Sequence, residues 1–237
     1  MESFKKFTAQ NLGISISNDQ LNKFLLFEAI LIKWNSQYNL TSITDHKDII
    51  IKHFYDSLTC FKYVPLNNKI TLIDVGTGAG FPGIPLAIMN PEIQLTLVES
   101  VGKKADFCQI ALQELEINNS RVLASRAETV GREPTHREQY DWAVARAVAP
   151  LSTLAEYLIP LVRIGGSVLA QKGVALQKEI RESKKAIFTL GGKIKETFPI
   201  ALPEEMGNRT LILVKKNKNT PSQYPRRPGT PKKNPIF

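Results

Sequence analysis

Residues 17–35 repeat their apolar positions at helical spacing. Leu21, Phe24, Leu25 and Ile32 fall on one face, and Ser17 or Asn18 is placed to cap the first turn. A second amphipathic helix is predicted over 45–63, capped by Thr44 or Asp45, with Ile49, Ile50, Phe54, Leu58 and Phe61 as its apolar stripe. "YNLTSIT" links the two as an irregular segment. Both helices precede any strong strand, so residues 1–66 read as a helical N-terminal appendage.

From residue 69 the period changes. "ITLIDV", "QLTLVES", "RVLAS", "YDWAVARAV", "GGSVLAQK", "KIKETFPI" and "RTLILVKK" read as strands, and 83–90, 102–117, 150–161 and 174–190 as the helices between them. Strands alternating with helices predict βαβ units and a mostly parallel, seven-stranded α/β sheet over 67–216. No convincing helix separates the last two strands, which predicts an antiparallel pair at the sheet edge. Residues 217–237 are rich in proline, lysine and arginine. They read as an extended tail that buries no core.

Composition narrows the class. The chain has 237 residues, 43% of them hydrophobic, enough for one sizeable domain with an appendage. No stretch approaches the roughly 18 unbroken apolar residues of a membrane span, and the opening "MESFKKFTAQNLG" lacks the apolar core of a secretion signal. Two cysteines, Cys60 and Cys108, are too few for a disulfide framework, so a reduced, cytoplasmic setting is expected. The net charge is +9, of which residues 215–237 carry +7 and residues 1–214 only +2. A nearly neutral body with a basic tail fits either a solubilising end or a segment that tracks a phosphate backbone.

Chemistry concentrates in "LIDVGTGAGFPGIP", residues 72–85. The loop follows a strand and opens a helix, the context required for nucleotide binding. Gly76, Gly78 and Gly80 let backbone approach a ligand closely, and Pro82 and Pro85 suit a first helical turn. The dinucleotide fingerprint G-x-G-x-x-G is broken by Phe81, and Asp74 at the strand end would repel a pyrophosphate. A carboxylate there attracts a cation. S-adenosyl-L-methionine has no phosphate and carries an amino group and a sulfonium, so it fits where a nicotinamide dinucleotide does not. Glu99 ends the next strand and can accept from both ribose hydroxyls. "RAE" at 126–128 ends the third, where Ala127 can pack on adenine and Glu128 can read its edge.

The methyl acceptor is read from charge. Arg126, Arg146, Lys172 and Arg209 all fall near carboxyl ends of strands, around a pocket that already receives a cation, so an anionic substrate such as nucleic acid should compensate. The chain has no Asn-Pro-Pro-aromatic signature for an exocyclic amine and no cysteine placed to attack a pyrimidine. A guanine N7 needs neither, because its in-plane lone pair can attack the sulfonium methyl without a general base. His53, Asp56 and Ser57 in "HFYDSL" share a helix face that supplies no oxyanion hole, so a structural or RNA-facing role is expected for them. His46 and His136 lack ligand-spaced partners, and no metal site is expected. The competing readings are a nicotinamide-dependent oxidoreductase, a non-catalytic RNA-binding scaffold and a small-molecule methyltransferase.

"YNLTSI", "HFYDSL", "IDVGTGAGFPGIPLAI", "LVES" followed by "GKK", "RAE", "ARAVAPL", "QKG" and "RTLILVKK" occur in this order. In them the chain resembles the ribosomal RNA small subunit methyltransferase G family, also called glucose-inhibited division protein B. The resemblance covers roughly residues 34–216, and the tail "YPRRPGTPKKNPI" is similar to the basic ending of part of the family. It implies a class I S-adenosylmethionine-dependent methyltransferase fold (Rossmann-like) and methylation of a guanine N7 in 16S ribosomal RNA. It further implies a cytoplasmic enzyme, expected to be a monomer, acting on that RNA, the small ribosomal subunit or an assembly intermediate. By position, cofactor contacts fall on Gly76, Phe81, Glu99, Ser100, Val101, Ala127, Glu128 and Arg146, beside Asp74, Gly78 and Gly80. Arg126, Lys172 and Arg209, with Arg146, are the residues expected to handle RNA or the target base.

Overall fold

A computed structural model describes residues 1–146, 149–173 and 177–236. Seven strands form one sheet: β1 (Ile70–Val75), β2 (Ile93–Glu99), β3 (Ser120–Ala124), β4 (Tyr140–Arg146), β5 (Val162–Lys172), β6 (Gly192–Ala201) and β7 (Asn208–Lys216). Their order is β3-β2-β1-β4-β5-β7-β6. Strands β1 to β5 pair in parallel, and β7 runs antiparallel between β5 and β6. The antiparallel pair expected at the edge is present, with β6 outermost. The strand read over 140–148 is observed to Arg146, and its positions 147 and 148 lie outside the described residues, as do 174–176 of the helix read over 174–190.

The central strands are buried on both faces, which is why they read as continuous apolar runs. Alternate side chains feed two cores. Leu72, Leu95, Leu97, Val144, Leu169 and Leu211 face one; Ile73, Val75, Val98, Ala143, Ala145 and Ile212 face the other. The first core also holds Phe4, Phe24, Phe27 and Phe54 from the N-terminal helices. Those helices therefore share the core of that face, and the change of pattern near residue 66 is not a break in packing. An amphipathic helix must bury its stripe, and Asn18–Tyr38 buries its own against the helices Gly83–Met89 and Gly102–Glu114 that cover the sheet.

The helix Asn18–Tyr38 begins with a complete capping box, in which Ser17 accepts from the Gln20 amide and Gln20 from that of Ser17. Its buried stripe is Phe24, Phe27, Ile30 and Leu31, whereas Leu25 and Ile32, read as core from the spacing, are exposed. Phe27 packs on Phe54, Phe81 and Phe107, and the buried face is turned by about one residue step from the one expected. Asp45 caps the helical stretch over 46–62 by accepting from the Asp48 amide. That stretch widens to π geometry over Ile49–Tyr55, the part that carries His53.

The C-terminal segment departs from its reading as an extended tail. Pro225 and Pro231 are buried, Thr230–Lys233 form a helical turn, and Arg226 pairs with Glu156 across 70 residues of sequence. Composition predicts disorder only where no body surface offers partners, and here buried acids and guanidiniums of the body do so.

Candidate active site

The strand order reverses between β1 and β4, and in an open α/β sheet a crevice forms outside the carboxyl ends at such a point. A cleft of about 220 Å³ lies there. Its walls include Val75, Gly76, Val98, Ser100, Ala127 and Glu128.

The glycine loop takes its shape from two carboxylates. Asp74 is fully buried; its Oδ2 accepts from Thr77 Oγ1 at 2.7 Å and from the Gly83 amide at 2.8 Å. A Cβ at Gly83 would lie 2.9 Å from that oxygen and 2.5 Å from Leu97 Cδ2, so glycine is required for the approach. Glu99 accepts from the Gly78 amide at 3.0 Å through Oε2 and from the Val101 amide at 2.9 Å through Oε1. Gly78 has φ +60° and open space where its Cβ would stand, so the loop backbone is bare on that side.

Burial pushes the Asp74 carboxyl up to about 6, against the pull of Thr77, the Gly83 amide and Arg146. Its Oδ1 is buried without a hydrogen-bond partner among the described residues. An unpartnered carboxylate oxygen two residues before Gly76, with a bare backbone after it, fits a ligand that brings a cationic group. The Glu99 oxygens each retain a lone pair for ribose hydroxyls. These residues fit S-adenosylmethionine.

Beside the cleft lies a buried polar cluster. Asp56, 1% exposed, accepts through Oδ2 from Arg209 Nε at 2.9 Å and Arg146 NH1 at 3.4 Å, and through Oδ1 from Gln171 Nε2 at 2.6 Å. Arg146 also donates to Lys52 O at 3.0 Å and to His53 Nδ1 at 3.0 Å. With Nδ1 accepting, the proton sits on Nε2, which donates to Thr41 Oγ1 at 3.0 Å. Burial, then the charge of Arg146, depresses the His53 pKa to about 3, so the ring is neutral. His53 stacks on Phe81 with centroids 4.3 Å apart, and the Arg146 guanidinium sits 5.0 Å from the same ring. Burial raises Asp56 above the ordinary carboxylate range even beside two guanidiniums, and lowers Arg146.

A family model described as rRNA small subunit methyltransferase G matches residues 20–205. The ribosomal RNA small subunit methyltransferase G of Alkaliphilus metalliredigens is 47% identical over 227 residues, covering 96% of this chain and 95% of that protein. That of Bacillus subtilis is 43% identical over 236 residues, covering 100% and 98%. The chain belongs to the rRNA small subunit methyltransferase G family. Solved structures add the fold: a predicted O-methyltransferase from Agrobacterium tumefaciens (TM-score 0.55, 19% identity) covers 69% of this chain and 81% of its own. The geranyl diphosphate C-methyltransferase from Streptomyces coelicolor A3(2), solved with S-adenosyl-L-homocysteine, has TM-score 0.55 and 13% identity over 68% of this chain and 78% of its own. The sheet is that of a class I S-adenosylmethionine-dependent methyltransferase.

Within this family frame the expected site residues divide. Gly76, Ser100, Arg126, Ala127 and Glu128 line the cleft. Asp74, Gly80 and Glu99 are buried and shape the loop, Gly78 is half-buried, none of these four lines the cleft, and Val101 is exposed. The Phe81 ring points into the aromatic core between Phe27, His53 and Phe54, so its side chain is a packing residue and not a wall of the cleft. Of the four cations placed around the pocket, three have a carboxylate partner: Arg146 and Arg209 share Asp56, and Lys172 pairs with Glu179 at 2.8 Å. Lys172 also donates to Ala149 O at 2.8 Å. Strand alternation explains its place: Gln171 points to the Asp56 side of β5 and Lys172 to the other. Arg126 alone of the four has no carboxylate partner among the described residues. Ser57 donates to His53 O at 2.6 Å, a bond within the helix, so His53, Asp56 and Ser57 are not arranged as a hydrolytic trio.

Sequence reasoning missed Ser125, Pro150, Tyr157 and Lys232 in the cleft wall. "ARAVAPL" contained a signal for Pro150; nothing local signals Lys232, which arrives through the folded-back tail. It also missed that Thr41, His53, Asp56, Arg146, Gln171 and Arg209 meet. Each lies in a different motif or at a different offset, and only the fold brings them together.

Proposed function

We propose that this chain methylates the N7 of a guanine in 16S ribosomal RNA, by direct in-line attack of N7 on the sulfonium methyl of S-adenosylmethionine. The observation that carries this reading is the juxtaposition of two sites at one sheet edge. One is a glycine-lined cleft with Asp74 buried behind its loop, one oxygen of that carboxylate having no hydrogen-bond partner among the described residues. The other is a pair of arginines held by one buried aspartate. S-adenosylmethionine supplies the electrophilic methyl when bound. Asp74 holds the cationic amino-acid arm and keeps the loop open through Thr77 and Gly83. Glu99 accepts from the ribose, and Ala127 packs on the base.

No residue has to remove a proton, because guanine N7 carries none. His53 is suited to that absence: it is neutral, stacked and hydrogen-bonded on both nitrogens, so it positions Arg146 and does not act as a base. Arg146 and Arg209 present fixed positive charge near the transfer site, and Arg126 adds an unpaired cation on the cleft wall. Preorganised charge of this kind stabilises an incoming phosphate and the departing electron pair without reorganisation. Lys172, tied to Glu179 and Ala149, orients the segment after β4.

The enzyme acts in the cytoplasm on ribosomal RNA, the small subunit or an intermediate in its assembly. The test is transfer of labelled methyl from S-adenosylmethionine to RNA and small subunits from a strain lacking this gene. Label in 16S RNA is expected, and its loss with Asp74→Ala. Tight cofactor binding with no label in any RNA form overturns the ribosomal reading and favours a small-molecule acceptor.

A further inference from the structure

The basic C-terminal segment is bonded to the body along its length, from Thr220 beside Glu138 and Leu190 to Gly229 at Glu128. Arg132 Nε donates to Pro225 O at 2.7 Å, and Arg137 donates to Tyr224 O at 2.6 Å and Thr220 O at 2.7 Å. The Arg226 guanidinium and amide both reach Glu156, each at 2.7 Å, and that carboxylate is 1% exposed. Thr153 Oγ1 donates to Pro231 O at 3.2 Å. Two body arginines and a buried acid are committed to this segment, far more than a solvated tail requires.

The path of the segment ends on the cofactor cleft. Gly229 donates its amide to Glu128 Oε1 at 2.9 Å, and Lys232 joins Arg126, Ala127, Glu128, Pro150 and Tyr157 in lining the cleft. Glu128, the acid that spacing assigned to the adenine edge, is thus engaged by the tail through one oxygen. Of the seven cations over 215–237, Lys216 and Arg226 are paired with Glu138 and Glu156 and so are committed to the body.

We propose that residues 225–233 form a wall of the adenosine end of the cleft, so that the basic C-terminus serves nucleoside binding rather than a grip on RNA phosphates. This rests on the S-adenosylmethionine reading above. Lys232 contributes an aliphatic stem to pack on the base and a donor for its ring nitrogens, which are acceptors. The Glu128–Gly229 bond fixes the wall against the residues that meet adenine, and the Arg226–Glu156 pair anchors it from behind.

The experiment is calorimetric titration of S-adenosylhomocysteine into the full chain, a truncation after Gln223, and Lys232→Ala. The same three proteins are titrated with a 16S RNA transcript at several salt concentrations. The dissociation constant for S-adenosylhomocysteine should rise about tenfold or more on truncation and about threefold with Lys232→Ala. RNA affinity and its salt slope should stay within about twofold. Unchanged nucleoside affinity in both variants, with weaker RNA binding and a shallower salt slope, overturns the proposal and returns the tail to the RNA. If the truncated chain does not fold, hydrogen exchange on the intact protein decides. Amides over 225–233 should gain protection with saturating S-adenosylhomocysteine, and no gain contradicts the proposal. Failure of the intact protein to bind S-adenosylhomocysteine would instead remove the cofactor reading itself.

Discussion

Replacing Asp56 by asparagine tests the electrostatic core of the site. The substitution keeps the shape and one acceptor but removes the carboxylate charge that Arg146 and Arg209 share. It also sets an amide group against either a guanidinium or Gln171 Nε2, which now donates to Oδ1 at 2.6 Å. Removing one partner of a buried ion pair costs about 3–5 kcal/mol. Two features reduce this. Arg209 is 21% exposed and can turn to water, and burial already raises the Asp56 pKa, so neutralising it recovers part of its desolvation. About 2–3 kcal/mol remains, a fall in Tm of roughly 5–10 °C for a chain of this size. Methyl transfer at saturating cofactor should slow on the order of tenfold to a hundredfold, because both arginines lose their fixed orientation. Thermal unfolding of Asp56→Asn, Arg209→Gln and the double variant provides the check, with a coupling of about 1–2 kcal/mol expected. A wild-type Tm for Asp56→Asn, or strict additivity in the cycle, would refute the clamp.

Two further outcomes follow from titration. The Asp74 carboxyl lies at about 6, so it is neutral below that pH and charged above it; S-adenosylmethionine should bind more tightly as pH rises through about 6, and calorimetry on Asp74→Asn should show that dependence gone. The folded-state pKa of His53 is depressed from 6.5 to about 3, so the unfolded chain takes up a proton that the folded chain refuses, and stability is lost as pH falls from about 6.5 towards 3, by about 5 kcal/mol at most. Asp74 acts with the opposite sign between 3.8 and about 6, so the readout is the difference in unfolding free energy between wild type and His53→Gln across that window; parallel curves would contradict the His53 assignment.

What the sequence revealed follows the range of the interactions involved. The strands were legible because each is a local apolar run, and the glycine loop because its residues lie within one turn of chain. Glu99 was legible because one βα unit carries it to the same edge as Gly78. The arginine clamp was not: Asp56 lies 90 residues from Arg146 and 153 from Arg209, and no periodicity encodes a contact at that range. Lys172 illustrates a finer limit, since a one-residue alternation in β5 sends it to Glu179 and gives Gln171 the place beside Asp56. Leu25 and Ile32 fit a helical stripe as well as Phe27 does, and only the aromatic cluster decides among them. The tail misled because composition reports what a segment cannot bury by itself, and Arg226 finds its acid on another element.

The most direct measurement is the position of the transferred methyl. Small subunits or 16S RNA from a strain lacking this gene are incubated with the enzyme and S-adenosylmethionine, and the product is cleaved by borohydride and aniline, which cut at N7-methylguanine. A single new cleavage in 16S RNA, absent without enzyme and lost with Asp74→Ala, is the predicted result. Methylation of 16S RNA without any aniline-sensitive site would contradict base-free attack by N7 and point to an acceptor that needs a proton removed.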